Sequence, residues 1–325
     1  MEPGVTAARL SQCNRAFAAG IPVGAVGRLE SMAWRFALMI DPAASDDPGH
    51  DFSSTFSAVD PAAPALSVGE LSTQRGDGIF ESIGVIDGHA QEVQPHLDRL
   101  THSAEICDLP APNLAQWRQA VGLAADHCAP GESVIKLILS RGVEHGPAPT
   151  AWVTAAPAAD FSTVRREGVR VVTLDRGYDS GVPVRAPWLL LGAKTLSYAV
   201  NMAAIREAKR RGADDAIFVS SDGVVLEAPT ASLILRVGDT FVTPAPTGGI
   251  LQGTTQLSAF AWLEEQGLAT SYRDVPTTEL SQADAAWLVS SVRLAAPITQ
   301  IDGIPVPLDV DFTARLNAYL LSPRD

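Results

Sequence analysis

The stretch Trp188-Leu-Leu-Leu-Gly-Ala-Lys-Thr-Leu196 decides how this chain is read. Its apolar run, Trp188 to Leu191, predicts a buried strand. Thr195–Arg211 reads as a helix, with Glu207 and Arg211 as an i,i+4 pair and Gly212 as the stop signal. Lys194 therefore falls at a strand-to-helix junction. An amine held there is partly withdrawn from water, which lowers its pKa and makes it a competent nucleophile. Taken alone, the same lysine is equally an ordinary solvated residue at a turn.

Two groups downstream bear on the choice. Glu227 follows the alternating stretch Val224–Leu226. A carboxylate there can pair with a protonated ring nitrogen, or simply end a strand at the surface. Gly253-Thr254-Thr255 opens a helix that runs to Gly267. Glycine lets the backbone approach an anion, the helix N-terminus offers free N–H groups, and two hydroxyls add donors. That is half of a phosphate cup, or an ordinary N-cap. Ser290 and Ser291 end the apolar run Ala285–Val289 and add hydroxyls.

Upstream, the turn Gly76-Asp77-Gly78 precedes the predicted strand Ile79–Ile86, and Asp87-Gly88 signals a hairpin returning through Ala90–Val93. Helices are expected over Pro95–Leu109 and Leu114–Cys128, and strands over Ser133–Leu139 and Ala151–Ala156. Beyond them come the strand Arg170–Leu174 and a second hairpin, Ala216–Ser220 with Val224–Glu227, about the turn Asp222-Gly223. Mixed strands and helices imply an α/β (α+β) protein.

Composition narrows the function. The 325 residues are 46% apolar and 19% charged, which excludes global disorder. Acidic residues outnumber basic ones, 37 to 24, for a net charge of −13, so nucleic acid is not an expected partner. The basic cluster Lys209-Arg210-Arg211 reads as a solvated helix end. The three cysteines, Cys13, Cys107 and Cys128, form no CxxC, and the histidines lack ligand spacing, so neither a disulfide framework nor a metal site is suggested. No apolar run is long enough to span a membrane, and no leader pattern is present. A cytoplasmic setting is the expectation. Residues 1–55, rich in Ala, Ser, Asp and Pro, read as a partly ordered extension ending in one or two early strands, with Met32 and Met39 as alternative starts.

Six motifs in order carry a resemblance: Arg75-Gly-Asp-Gly-Ile-Phe-Glu81, His96-Leu-Asp-Arg-Leu100, Ser140-Arg-Gly142, Gly192-Ala-Lys-Thr-Leu196, Leu226-Glu-Ala-Pro229 and Leu251-Gln-Gly-Thr-Thr255. Over about residues 70–305 the sequence resembles the class IV, fold-type IV family of pyridoxal-phosphate enzymes. That family includes branched-chain and D-amino-acid aminotransferases and 4-amino-4-deoxychorismate lyases. The resemblance implies a two-domain enzyme with pyridoxal 5'-phosphate in the interdomain cleft. The small domain would span 56–158, a linker 159–163, and the large domain 164–325. A homodimer whose site is completed by a partner loop is also implied.

Residue by residue, the resemblance makes Lys194 the lysine covalently linked to the cofactor and Glu227 the acid that pairs with the pyridine nitrogen. Arg99 becomes the phosphate arginine. Thr254 would offer a backbone N–H, and Thr255 and Ser291 hydroxyls, to the phosphate. Two positions depart from the pattern. Ser232 stands where many members have asparagine, and Tyr198 is one residue closer to the lysine than the tyrosine of the branched-chain enzymes.

Three features favour the lyase. Ser82 lies where similar lyases place a small hydroxyl residue facing the pocket, a catalytic and substrate-contacting position. Ser291-Val-Arg293 resembles a Ser/Asn-x-Arg stretch of many lyases, and Arg293 would grip a substrate carboxylate or be a surface arginine. The Arg-x-His pair of D-amino-acid aminotransferases is missing after Ser140-Arg-Gly142: His145 is there as a candidate substrate residue, without an arginine partner, and Arg141 orients the loop. The expected function is a 4-amino-4-deoxychorismate lyase that releases pyruvate and 4-aminobenzoate, in folate biosynthesis. The alternatives are an aminotransferase acting on D-amino or branched-chain amino acids, with both reactions in one pocket, and a non-catalytic binding relative.

Overall fold

A computed structural model describes residues 35–325. Two sheets organise them. The first is antiparallel throughout, in the order β2-β1-β6-β5-β3-β4. Its strands are β1 (Phe36–Ile40), β2 (Phe56–Val59), β3 (Gly78–Ile86), β4 (His89–Ala90), β5 (Glu132–Ser140) and β6 (Thr150–Pro157). The one-turn α1 (Leu71–Gln74) precedes β3, and two longer helices, α2 (Val93–Ile106) and α3 (Leu114–Ala125), lie between β4 and β5. Their apolar residues Leu97, Leu100, Trp117 and Val121 pack on Ile79, Ile83, Ile135 and Leu137 in one buried core.

The period of two along β3 decides what reaches the opposite face. Ile79, Glu81, Ile83 and Val85 are all buried, whereas the alternate residues Phe80 and Ser82 stay partly exposed and line a cleft. On β5, Ile135 and Leu137 point to the core, and Lys136 lies between them, directly opposite Ser82.

The second sheet runs β11-β10-β9-β12-β13-β7-β8, with β14 beside β13. Before its first strand lies α4 (Ser162–Glu167). The strands and helices then follow as β7 (Val169–Asp175), α5 (Val182–Arg185), α6 (Ala199–Arg210), β8 (Asp215–Val219), β9 (Ser232–Val237) and β10 (Thr240–Pro244). The chain continues through α7 (Thr254–Glu265), β11 (Ala269–Arg273), β12 (Ala285–Ser290), β13 (Leu294–Ile301), β14 (Ile304–Pro305) and α8 (Val310–Leu321). Strands β12 and β9 are buried on both faces. Trp287 packs on Phe241 and Phe312 on one side, and Leu233 and Leu288 join Ile217 and Val225 on the other. The helix opened by Gly253 is present, and so is the Asp87-Gly88 hairpin, though its return strand is only His89–Ala90 and Val93 already opens α2.

Four expectations change. The run Trp188–Leu191 is no buried strand: Pro187–Leu189 form a 3-10 turn and Trp188 is 73% exposed. Helix α6 starts only at Ala199, so Lys194 lies in an irregular segment rather than against a helix. The hairpin about Asp222-Gly223 forms, with Leu226 N–H donating to the Phe218 carbonyl at 2.9 Å and Phe218 N–H to the Glu227 carbonyl at 2.8 Å, but Val224–Glu227 is joined by isolated bridges to Val219 and Pro276 and not by a regular strand ladder. The first sheet opens at Phe36, because β1 pairs with both β2 and β6, so a small unit starting at residue 56 would cut a central strand away. A start at Met39 would likewise remove half of β1; Met32, Cys13 and most of the 1–55 extension lie outside the described residues.

Trp117 is a fully buried side chain of the α2/α3 core. Trp117→Ala is expected to destabilise the protein by about 3–5 kcal/mol, the usual cost of emptying a buried aromatic site, read from the shift in its urea unfolding midpoint.

Candidate active site

Lys194 is carried by the second half of the chain but held by the first. Its carbonyl accepts the Phe80 N–H at 3.0 Å, and its own N–H donates to Ser103 Oγ on α2 at 3.1 Å. Leu196 N–H donates to the Gly78 carbonyl at 2.8 Å, and Thr195 bridges Ile79. The segment is thereby an extra rung on the edge of β3. Its ammonium lies 4.4 Å from the centre of the Phe80 ring. Burial lowers the Lys194 pKa to about 8, helped by the nearby Arg99 and Lys136 charges and opposed by Glu81 and Glu227.

Glu227 is the second buried ionisable group. Burial raises its pKa to about 7, although Leu251 N–H donates to its Oε2 at 3.2 Å and Lys194, Arg176 and Arg99 favour the anion. A carboxylate in that state is stabilised by any cation that arrives beside it.

The far end of the cleft gathers donors. Arg99 projects from α2 and spends Nε and Nη2 on the two oxygens of Glu81, both at 2.7 Å, and one Nη1 hydrogen on the Gln252 carbonyl at 3.0 Å. A guanidinium has five N–H bonds, so Arg99 keeps two for another acceptor. The Glu81 carboxyl would be raised by burial, but the Arg99 charge and the hydrogen bonds from Arg99 and His96 dominate and hold it far below the usual range. His96 Nδ1 also meets Glu81, at 2.7 Å, and burial keeps the ring neutral. The tautomer follows: Nδ1 donates, so Nε2 is an acceptor. It faces the hydroxyls of Thr254 and Ser291, each at 3.3 Å.

Thr254 Oγ1 and Ser291 Oγ are 3.2 Å apart, and Thr255 Oγ1 donates to Ser291 Oγ at 3.4 Å. These hydroxyls crown the N-terminus of α7, whose N-cap Gly253 supplies no side-chain acceptor. A Cβ on Gly253 would stand 2.3 Å from Ser232 Oγ. The serine in place of asparagine thus packs directly under the turn, and a side chain at position 253 would require the Ser232 hydroxyl to turn away. The two remaining Arg99 N–H bonds, three hydroxyls and a helix N-terminus converge, which is the donor set of a phosphate site.

Lys194, Glu227, Arg99, Thr254, Thr255 and Ser291 line one cleft of about 510 Å³, together with Ser82, Lys136 and Arg293, with Glu81 and His96 buried behind them. Arg293 is nearly buried. Its Nη1 donates to Asp215 Oδ2 at 2.7 Å, while Nε and Nη2 are buried without a hydrogen-bond partner among the described residues. His145 is different: it is exposed on the turn after Ser140-Arg-Gly142, with φ of 63°, and does not line the cleft. Arg141 braces that turn through Asp77 and the carbonyls of Cys107 and Asp108.

Sequence reasoning missed four contributors. Tyr198 lines the cleft, edge-on to Phe80, with its hydroxyl donating to the Pro229 carbonyl at 2.8 Å, and burial pushes its pKa up to about 12. Glu81 and His96 lay inside quoted motifs but went unread because their role is to hold Arg99 and the hydroxyls. Lys136 carried a visible signal: a lone cation inside the apolar run Ser133–Leu139.

A lysine with a lowered pKa, an acid and a phosphate-type donor cluster lining one cleft, with a sheet seam that holds the lysine, fit a pyridoxal-phosphate enzyme. The comparisons agree. The amino-transferase class IV profile matches residues 78–301, and the chain belongs to that family. A bifunctional aminodeoxychorismate lyase / D-amino acid transaminase of Mycobacterium tuberculosis is 42% identical over 278 residues, 81% of this chain and 96% of that protein. A fold IV-transaminase structure from Curtobacterium pusillum is similar with a TM-score of 0.83 and 48% identity, covering 88% of this chain and 99% of the other. A pyridoxal-phosphate-bound aminotransferase structure from M. tuberculosis has a TM-score of 0.79 at 40% identity, over 89% and 100% of the two chains. Family members depend on pyridoxal phosphate, and the donor set and the lysine–acid pair described above fit that cofactor.

In apoprotein, acylation of Lys194 followed by peptide mass spectrometry should titrate near pH 8, well below the roughly 10.4 of an ordinary lysine. A lowered pKa exposes the neutral amine at lower pH, so reactivity rises through that midpoint. Glu227→Gln removes an anion that favours the ammonium and should move the midpoint lower. Arg99→Met removes a repelling cation and should move it higher.

Proposed function

We propose that the protein is a pyridoxal-phosphate-dependent 4-amino-4-deoxychorismate lyase that also transaminates D-amino acids in the same cleft. The observation that carries this reading is the pair of groups set around Lys194: the Ser82 hydroxyl on the β3 face and the partnerless Nε and Nη2 of Arg293. A lyase substrate brings carboxylates and a leaving enolpyruvyl group, and both groups suit it. The M. tuberculosis relative, whose name joins the two activities, supports the combination.

The catalytic division follows from the residues. When bound, the cofactor supplies an electron sink for charge developing beside the substrate nitrogen. Arg99, Thr254, Thr255 and Ser291 hold its phosphate through charge-assisted and hydroxyl hydrogen bonds. Glu227, given a cationic ring nitrogen beside it, stays ionised and keeps that proton in place. Lys194 makes the covalent link and, once its amine is released, takes the proton from the substrate carbon; a pKa near 8 suits that exchange at neutral pH. Arg293 anchors a carboxylate by its free edge. Ser82 Oγ stands on the opposite wall, where it guides a proton to the departing group. Transamination would draw on the same residues, with Lys194 both taking and returning the proton, and would need no additional side chain.

The two sheets with their helices are proposed as the two domains, the first extended back to Phe36, with the cofactor between them. A homodimer is proposed because Val184 (88% exposed), Trp188, Leu189, Val200 and Met202 leave apolar side chains uncovered near the cleft. The exposed His145 turn then has a partner's cleft, rather than its own, as its place of action. Among the described residues no helix is long and apolar enough to cross a membrane. A cytoplasmic setting, with product entering folate synthesis, suits the free thiols of Cys107 and Cys128.

Purified holoenzyme should release pyruvate from aminodeoxychorismate and lose its cofactor colour with D-alanine. Lys194→Ala should abolish both activities, and Glu227→Gln should slow both by about a hundredfold or more without losing cofactor. Ser82→Ala should cut pyruvate release by about tenfold or more and leave the D-alanine reaction nearly unchanged. Pyruvate release at background level in wild type would leave a transaminase only.

A further inference from the structure

We infer that Arg165, paired with Glu132, is a positioning residue that latches the turn between β12 and β13 and so sets the carboxylate-binding edge of Arg293. Arg165 lies on α4, outside the cleft, and is buried. Its guanidinium is used almost completely. Nη1 and Nη2 meet Glu132 Oε1 and Oε2 at 2.7 and 2.5 Å. Nη2 also donates to the Val292 carbonyl and Nε to the Arg293 carbonyl, both at 2.9 Å. Glu132 opens β5 of the first sheet, so one side chain ties that sheet to the turn that carries Ser291 and Arg293.

That turn needs holding. Leu294, which follows Arg293, has φ of 61°, a left-handed conformation that a branched residue does not choose unaided. On the other side, a Cβ on Gly84 of β3 would stand 2.4 Å from the Ser291 carbonyl oxygen, so the sheet backs the turn at van der Waals distance. The turn is therefore pressed against β3 from one side and drawn by two carbonyl bonds from the other. Arg293 emerges with Nη1 fixed on Asp215 and with Nε and Nη2 partnerless. Those two nitrogens carry the parallel N–H bonds of one guanidinium edge, which receive a carboxylate bidentately. Asp215 and Glu132 neutralise the two arginines separately, so neither draws on the other's partner. Only arginine fits position 165: a lysine offers a point charge and cannot span a carboxylate and two carbonyls in one plane.

The inference rests on the proposed role of Arg293 as the carboxylate anchor, and the test separates the two. Glutarate, an unreactive dicarboxylate, is titrated into holoenzyme and followed by cofactor absorbance. R165M and R293M should each weaken it about tenfold or more, the loss expected for a charged hydrogen-bonded anchor, and R165K should not restore binding. R165M/R293M should lose no more than the worse single variant, because both act through the same edge. Amide hydrogen exchange over Val292–Leu294 should quicken in R165M and stay at the wild-type rate in R293M. E132Q should move both readouts in the same direction by less, and it serves if R165M does not fold. Wild-type exchange over the turn in R165M and E132Q, or losses that multiply in the double variant, would overturn the latch. If R293M binds glutarate as wild type does, the anchor reading fails, and the exchange rates alone decide the latch.

Discussion

The structure depends on a seam of hydrogen bonds between β3 and the segment around Lys194. The Phe80 N–H and the Gly78 carbonyl are edge groups of the first sheet, and they are satisfied by the Lys194 carbonyl and the Leu196 N–H of the segment that leads into α6. Unpaired edge groups are costly when buried, so the seam fixes the lysine relative to Phe80 and Ser82. Everything chemical in the cleft is then placed by short distances from it: Glu227 beside the lysine, and the Arg99–Glu81–His96 cluster beneath the hydroxyls of Thr254 and Ser291.

That cluster is built in two layers, one facing the cleft and one behind it. Glu81 is on the core face of β3, not the cleft face, so it touches no ligand. It holds two nitrogens of Arg99 and sets the tautomer of His96, and through them orients the donors that do face the cleft. The arrangement also separates the two carboxylates that surround Lys194. Glu81 is kept ionised by Arg99, whereas Glu227 lacks a permanent cation of its own and is poised by burial to accept one.

Much of this was legible in the sequence, and the exceptions have physical causes. Lys194, Glu227 and Gly253-Thr254-Thr255 left local signatures, a junction, a strand end and a helix start, that each had an ordinary reading too, and only the order of six motifs joined them and brought in Arg99, which alone is a helix-surface cation. Trp188–Leu191 misled because an apolar run looks the same whether it is buried in a sheet or left for another surface to cover. An early strand was expected at the end of the leader, but that β1 belongs to the first sheet was not readable, since its partners β2 and β6 lie farther along the chain. Lys136 stands opposite Ser82 across β3 and β5, and Arg165 bonds the Val292 and Arg293 carbonyls, and such pairings become visible only when register and tertiary contacts are known. His145 was placed near the substrate by motif alone, and its exposed turn does not line the cleft of its own chain.

The central claim is that Lys194, and not the neighbouring cleft lysine Lys136, carries the cofactor. Holoenzyme reduced with borohydride and digested for peptide mass spectrometry tests it directly. The account predicts the reduced cofactor adduct on the peptide containing Lys194, with the Lys136 peptide unmodified. An adduct on Lys136, or cofactor washed away with Lys194 unmodified, would contradict it.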